Sequence, residues 1–156
     1  MDSVSEARLK LVNPMMSDKV KRVAGILESE GITVRVTQGL RSWNEQAALY
    51  EQGRSLPGAV VTNSPAGYSW HNFGLAVDLV PMVDGSPDWD VKHPAWTRMS
   101  EVAGALGFTC GAHFSTPDRP HIQMNGRFPL SPDGEVRQLF KDGGMGAVWD
   151  EAFVPA

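Results

Sequence analysis

His71 and Asp78 stand seven positions apart in the run Ser69-Trp70-His71-Asn72-Phe73-Gly74-Leu75-Ala76-Val77-Asp78. Leu75, Val77 and Leu79 alternate with Ala76, Asp78 and Val80, which is the period of a strand. A carboxylate on such a strand is costly to desolvate unless a cation or strong donors meet it. Gly74 allows a turn that delivers His71 to the same place, and imidazole beside carboxylate suits a metal ion. A second segment, Asp118-Arg119-Pro120-His121-Ile122-Gln123, brings another carboxylate and another imidazole. The two segments read together as one zinc site with its own general base. Zinc takes nitrogen, sulfur or carboxylate donors in a tetrahedron, and a catalytic zinc keeps one corner for water. His71, Asp78 and His121 are the expected ligands. Asp118, three residues before His121 and across Pro120, is the expected base for a water whose pKa the metal lowers to about 7.

The elements that must position these residues follow from the pattern around them. Ser17 is expected to open a helix with Val20, Val23, Ala24 and Leu27 at helical spacing, closed by Gly31. Thr33-Val34-Arg35-Val36 alternates as a strand ending at Gly39, with Arg41 at the following turn. Ser42-Trp43-Asn44-Glu45 has the form of a capping box, and its helix runs through Ala47, Leu49 and Tyr50 to Gly53. Residues 54–68 show no sustained period and form a loop, as do Asp84 to Asp90. Pro94 suits the first turn of a helix through Trp96, Met99, Ala103 and Leu106, stopped by Gly107. Phe108-Thr109-Cys110 is a short strand. His121-Ile122-Gln123-Met124 is another, with His121 and Gln123 on one face. Ser131-Pro132 begins a helix that Gly143-Gly144 breaks, and Val148, Trp149 and Phe153 belong to a terminal helix. Without a regular βαβα alternation, the expected class is α+β: a small, mostly antiparallel sheet with helices packed to one side.

Composition narrows the partners. The 156 residues are 42% hydrophobic and 21% charged, with a net charge of −4. Such a chain folds, burying about two-thirds of its unfolded surface, and offers no basic footprint for nucleic acid. It is expected to be one domain spanning residues 1–156, with no linker, repeat or separate cell-wall-binding domain, and a monomer. The single cysteine, Cys110, excludes an internal disulfide. No signal sequence is visible at the start, and no apolar run nears the roughly 20 residues of a membrane span. The expected location is therefore cytoplasmic at synthesis, with no membrane insertion.

Taken singly, a His-x6-Asp pair is a weak signal. The combination Ser-x-His-x2-Gly-x-Ala-x-Asp followed some forty residues later by Asp-x2-His-x-Gln is far more specific. It resembles the zinc D-Ala-D-Ala peptidases (M15) of bacterial cell walls, and most of all their L-alanyl-D-glutamate endopeptidase branch of phage endolysins and bacterial autolysins. Gly39-Leu40-Arg41-Ser42, Glu45-Gln46, Leu49-Tyr50, Gln52-Gly53-Arg54, Thr62-Asn63, Gly107-Phe108 and the Gly-Gly then Val-Trp ending are similar too, so the likeness covers nearly the whole chain. It implies a hedgehog/DD-peptidase-like fold and Zn2+ held by His71, Asp78 and His121. It also implies Asp118 as base, Arg41 assisting the polarised carbonyl, and Ser69 contacting the peptide. The implied substrate is the peptidoglycan stem peptide, reached after release from the cytoplasm through a holin-type lesion or another exit. One departure stands out: relatives often carry Trp-Gly-Gly-Asp-Trp where this chain has Cys110-Gly111-Ala112-His113-Phe114.

Several residues carry two readings. Gln123, Trp70 and His113 are candidate substrate contacts; Trp70, like Trp43, Trp96 and Trp149, also suits a core or groove wall, and His113 suits a plain surface. Cys110 as a fourth ligand would close the corner that water needs, so a buried small hydrophobe is the better reading. Asp84, Ser86, Asp88 and Asp90 lack the glycine position and the final glutamate of a calcium loop and form a solvated acidic loop. His93 is a surface turn residue. Arg54 meets either a substrate carboxylate or the end of its own helix. Two functional rivals share the same core: a D-Ala-D-Ala carboxypeptidase or dipeptidase, and a zinc module that binds cell wall without cutting it.

Overall fold

The computed structural model describes residues 1–155 and resolves into two compact units. The first comprises Met1–Gly39 with Ala76–Met124; the second comprises Leu40–Leu75 and the chain from Asn125 onward.

The first unit holds the sheet. Strands β1 (Thr33–Gln38), β2 (Ala76–Val83), β4 (Thr109–Cys110) and β5 (His121–Gln123) lie in the order β1-β2-β5-β4, and β3 (Ser86–Pro87) pairs with β2. Every pairing is antiparallel, as the α+β expectation requires. Helices α1 (Ser3–Leu9), α2 (Pro14–Ser29) and α4 (Pro94–Ala105) pack on it: α1 and α2 against β1, α4 against β2 and β4, and α2 against α4. Val20, Val23 and Leu27 of α2, Met99 and Val102 of α4, and Val77 and Leu79 of β2 are buried there.

Local chemistry explains the element ends. Asn13 caps α2 through its side chain, and Pro14 takes the first helical position, so α2 starts three residues before the expected Ser17. Asn-Pro is itself a start signal. The seven-residue α1, absent from the sequence reading, is held by the Asp2 cap and by tertiary bonds. Ser5 Oγ accepts from the Val36 amide at 2.9 Å, and Arg8 Nη1 donates to the Val36 carbonyl at 2.7 Å. The acidic stretch from Asp84 is a hairpin as well as a loop, because Asp84 and Gly85 both take positive φ, of 51° and 79°, and return the chain as β3. His93 does more than sit at a surface turn: its Nδ1 accepts from the Ala95 amide and caps α4.

The second unit is built around aromatic rings. Helix α3 (Trp43–Glu51) begins at Ser42 with both halves of the expected capping box formed. A 3-10 turn at Trp70–Phe73 and the final helix α5 (Gly134–Ala152) complete it. Trp43 stacks on Phe140 with centroids 5.2 Å apart, and Phe73 meets Trp43, Trp70 and Phe140 edge-on. Each such pair adds about 0.5–1.5 kcal/mol to area burial. Trp149 donates its indole N–H to the Phe73 carbonyl at 2.7 Å. Helix α5 starts at Gly134 under an Asp133 cap, later than Ser131-Pro132, and breaks at Gly144 (φ 74°, ψ −169°) as the glycine pair implies. No helix among the described residues is long and apolar enough to cross a membrane.

Asp2 offers a pH test of the α1 anchor. Burial pushes its carboxyl up, but bonds from Ser5 and the Arg35 guanidinium outweigh that and bring it from 3.8 down to about 2. The stability this confers is complete above pH 3.8 and is lost as pH falls toward 2. Asp2→Asn keeps a capping acceptor but removes the charge facing Arg35, and is expected to lower unfolding free energy by up to about 1 kcal/mol at neutral pH, with the difference from wild type vanishing by about pH 2. A constant difference across that window in denaturant titrations rules the anchor out.

Candidate metal centre and active site

Asp78 and His121 are direct partners in the antiparallel pair β2–β5, and Ala76 faces Gln123 two residues along. Side chains at opposed positions of such a pair leave the same face with Cβ atoms about 4.5–5.5 Å apart. The carboxylate therefore meets the imidazole by register: His121 Nδ1 is 3.7 Å from Asp78 Oδ1. Beside this pair, β1 carries a bulge between Val36 and Gln38, which brings Gln38 opposite Asp78; bulges of this kind re-aim side chains next to active sites.

Asp118 reaches the same imidazole from the loop before β5. Its Oδ2 lies 3.9 Å from His121 Nδ1, and its side chain is more than half exposed. The loop is shaped by the backbone. The Asp118 amide donates to the Gly111 carbonyl at 2.8 Å, and the His121 amide donates to the Asp118 carbonyl at 3.2 Å. Gly111 lies so close beneath this turn that a Cβ there would collide with the Asp118 carbonyl and come within 2.9 Å of His121 Cβ. The Phe114 ring stands 5.7 Å from the His121 ring, while His113 is exposed.

His71 belongs to the 3-10 turn. Ser69 Oγ accepts from its amide, and Gly74, in the left-handed region at φ 66°, ends the turn, so the hinge role of Gly74 holds. His71 is 3% exposed, and its carbonyl accepts from the Arg41 amide at 3.0 Å. Arg41 is fixed by its neighbours: Nη1 donates to Gln46 Oε1 at 2.9 Å, and Asn72 Nδ2 donates to the Arg41 carbonyl at 3.0 Å. Gln46 is fully buried and donates onward to the Ser64 carbonyl at 2.7 Å, and Asn72 accepts from the Gly67 amide. Gln46 and Asn72 were not singled out from sequence as site residues. Their only local signal is a polar side chain on an otherwise inward-facing position, and that reads the same as a surface residue.

One ligand atom each from His71, Asp78 and His121 can be chosen so that all three lie within 4.8 Å of one another. Donors about 2.0–2.2 Å from one tetrahedral ion stand roughly 3.3–3.6 Å apart. Two imidazoles with one carboxylate are chemically suited to a divalent ion. The cluster could hold a metal. Cys110 takes no part: it is buried, burial pushes its thiol up, and it lies near the Ser100 carbonyl at 3.5 Å. Trp70 is 2% exposed, packed on Phe73 and Phe128 with its N–H on the Leu130 carbonyl. It is a core ring, not an open platform for substrate, because its whole face is used in packing. Arg54 turns back on its own helix and loop, over the Tyr50 ring and onto the Thr62 carbonyl.

Comparison with known proteins bears on this cluster directly. A peptidase M15 model described as D-alanyl-D-alanine carboxypeptidase matches residues 62–124, a span that contains His71, Asp78, Asp118 and His121. The chain is 34% identical over 122 residues to the peptidoglycan L-alanyl-D-glutamate endopeptidase CwlK of Bacillus subtilis, covering 72% of this chain and 73% of that protein. The chain belongs to the M15 peptidase family. M15 peptidases are metallopeptidases, which accords with the donor set. Among solved structures, the L-Ala D-Glu endopeptidase ChiX of Serratia marcescens superposes with a TM-score of 0.56 at 25% identity, over 79% of this chain and 87% of that one. The LD-carboxypeptidase LdcB shares the fold, with a TM-score of 0.54 at 21% identity over 72% and 64% of the two chains.

The closeness of Gly111 to the Asp118 turn is testable. Gly111→Ala is expected to cost about 1–3 kcal/mol through overpacking and to weaken metal uptake together with it. Unchanged denaturant midpoint and metal content in the variant would show that the turn has room to move.

Proposed function

We propose that this M15 peptidase is a zinc-dependent endopeptidase of the peptidoglycan stem peptide, cutting the L-alanyl-D-glutamate bond as an endolysin or autolysin. The reading is carried by one conjunction. His71, Asp78 and His121 cluster within 4.8 Å in a chain one-third identical to an endopeptidase named for that bond. His71, Asp78 and His121 would hold the ion. A zinc ion there supplies Lewis acidity, polarising a peptide carbonyl and acidifying water.

The chain's own groups do the rest. Asp118, exposed and within 3.9 Å of His121, takes a proton from the attacking water and returns it to the leaving amine. Arg41, clamped by Gln46, lends its guanidinium to the developing oxyanion, the kind of preorganised charge that is worth several kcal/mol in a site excluding water. Ser69, already engaged with the His71 amide, lies at the start of the same turn and lines the peptide path. The chain works as a monomer on the wall, without nucleic acid. It is made in the cytoplasm and reaches its polymer by release through a membrane lesion.

A carboxypeptidase reading is favoured by the description of the matching family model, and product analysis separates the two. Digested muropeptides are expected to show new N-terminal D-glutamate, abolished by a chelator and restored by zinc; released D-alanine instead assigns the carboxypeptidase reaction. Asp118→Asn is expected to keep its zinc and its fold while turnover falls by about 10²–10⁴, and full activity in that zinc-loaded variant removes Asp118 from its role. His71→Ala is expected to lose metal and activity together, so stoichiometric zinc in the purified variant would falsify the ligand assignment.

A further inference from the structure

The two ring nitrogens of His121 face different neighbours. Nδ1 faces the carboxylates of Asp78 and Asp118, at 3.7 and 3.9 Å. Nε2, on the other side of the ring, lies 2.7 Å from Oε1 of Gln123. Both residues are enclosed, Gln123 at 2% and His121 at 7% exposure, so neither competes for bulk water. They stand two apart on β5, on one face, and the residue opposite Gln123 across the strand pair is the small Ala76, which leaves room for the amide. We propose that Gln123 is a positioning residue. Its side-chain carbonyl accepts the Nε2 proton of His121, and it thereby presents Nδ1, lone pair outward, to an ion shared with Asp78 and His71.

The enclosed Gln123 side chain is turned toward His121, a role different from the substrate contact expected from sequence. An imidazole hydrogen-bonded on its far nitrogen has one tautomer and one ring orientation, and loss of such a partner costs about 10–100-fold in metal affinity. The inference rests on the metal reading above and is independent of which bond is cut.

Zinc binding to the wild type, Gln123→Met and Gln123→Glu, measured by competition with a coloured chelator, tests it. Methionine keeps the volume and removes the acceptor; glutamate keeps the acceptor. The methionine variant is expected to bind zinc about 10–100-fold more weakly, and the glutamate variant at least as tightly as wild type. In the zinc-loaded wild type the His121 Nε2 proton is expected to exchange slowly by nitrogen-edited NMR. In zinc-loaded Gln123→Glu it stays slow, whereas in Gln123→Met it is expected to be lost to fast exchange. Packing alone would not move that proton. Wild-type affinity in the methionine variant overturns the proposal, as does equal weakening in both variants or a fast-exchanging proton in the wild type. A wild-type chain that takes up no zinc overturns the metal reading along with it.

Discussion

Asp78 is the constraint from which the rest follows. A carboxylate on a strand whose neighbours Val77, Leu79 and Val80 are fully buried has to meet positive charge or strong donors, since desolvation otherwise costs several kcal/mol. The antiparallel register places His121 opposite it, and the bulge in β1 marks the same level of the sheet. Neutral imidazole alone does little to offset a carboxylate. A divalent ion shared among Asp78, His121 and His71, as proposed above, would do far more. The sheet, short as its outer strands are, is sufficient for this one alignment, and the helices α2 and α4 pack against it to make it rigid.

The second unit solves a different problem, which is how to hold a guanidinium and an imidazole still on connecting segments. It does so with a buried polar relay. Arg41 donates to Gln46, Gln46 donates to the Ser64 carbonyl, and Asn72 ties the Arg41 carbonyl to the Gly67 amide. A network of this kind is high-stakes, because each buried group left without a partner costs about 1–3 kcal/mol. The aromatic cluster of Trp43, Phe73, Trp70 and Phe140 surrounds the 3-10 turn that carries His71. His71 in that turn has its backbone bonded on both sides, to Ser69 and to Arg41. Its conformation is thereby set before any ligand arrives.

The two carboxylates near His121 differ in environment. Asp78 sits on the strand, mostly enclosed, which suits the ligand role proposed for it. Asp118 sits on a loop, more than half exposed, which suits the proton-exchanging role proposed for it. That difference in environment arises from backbone placement: one belongs to the regular pairing of β2 and β5, the other to a turn drawn down onto Gly111.

By itself the sequence determined the strand that carries Asp78, the capping box at Ser42, the hinge at Gly74 and the break at Gly144. All of these are local: period, cap and backbone freedom act within a few residues. Pairing a histidine and an aspartate on neighbouring stretches was legible for the same reason, and Asp118 as a candidate base followed from its spacing to His121, while the role of Arg41 came from likeness to a family. Only the tertiary structure decided that Trp70 is core, that Gln46 and Asn72 are buried around Arg41, that β3 and α1 exist, and that Gln123 turns to His121. A glutamine or a tryptophan has the same symbol whether it faces solvent or its neighbours, and the bonds that distinguish the two cases join residues far apart in the chain.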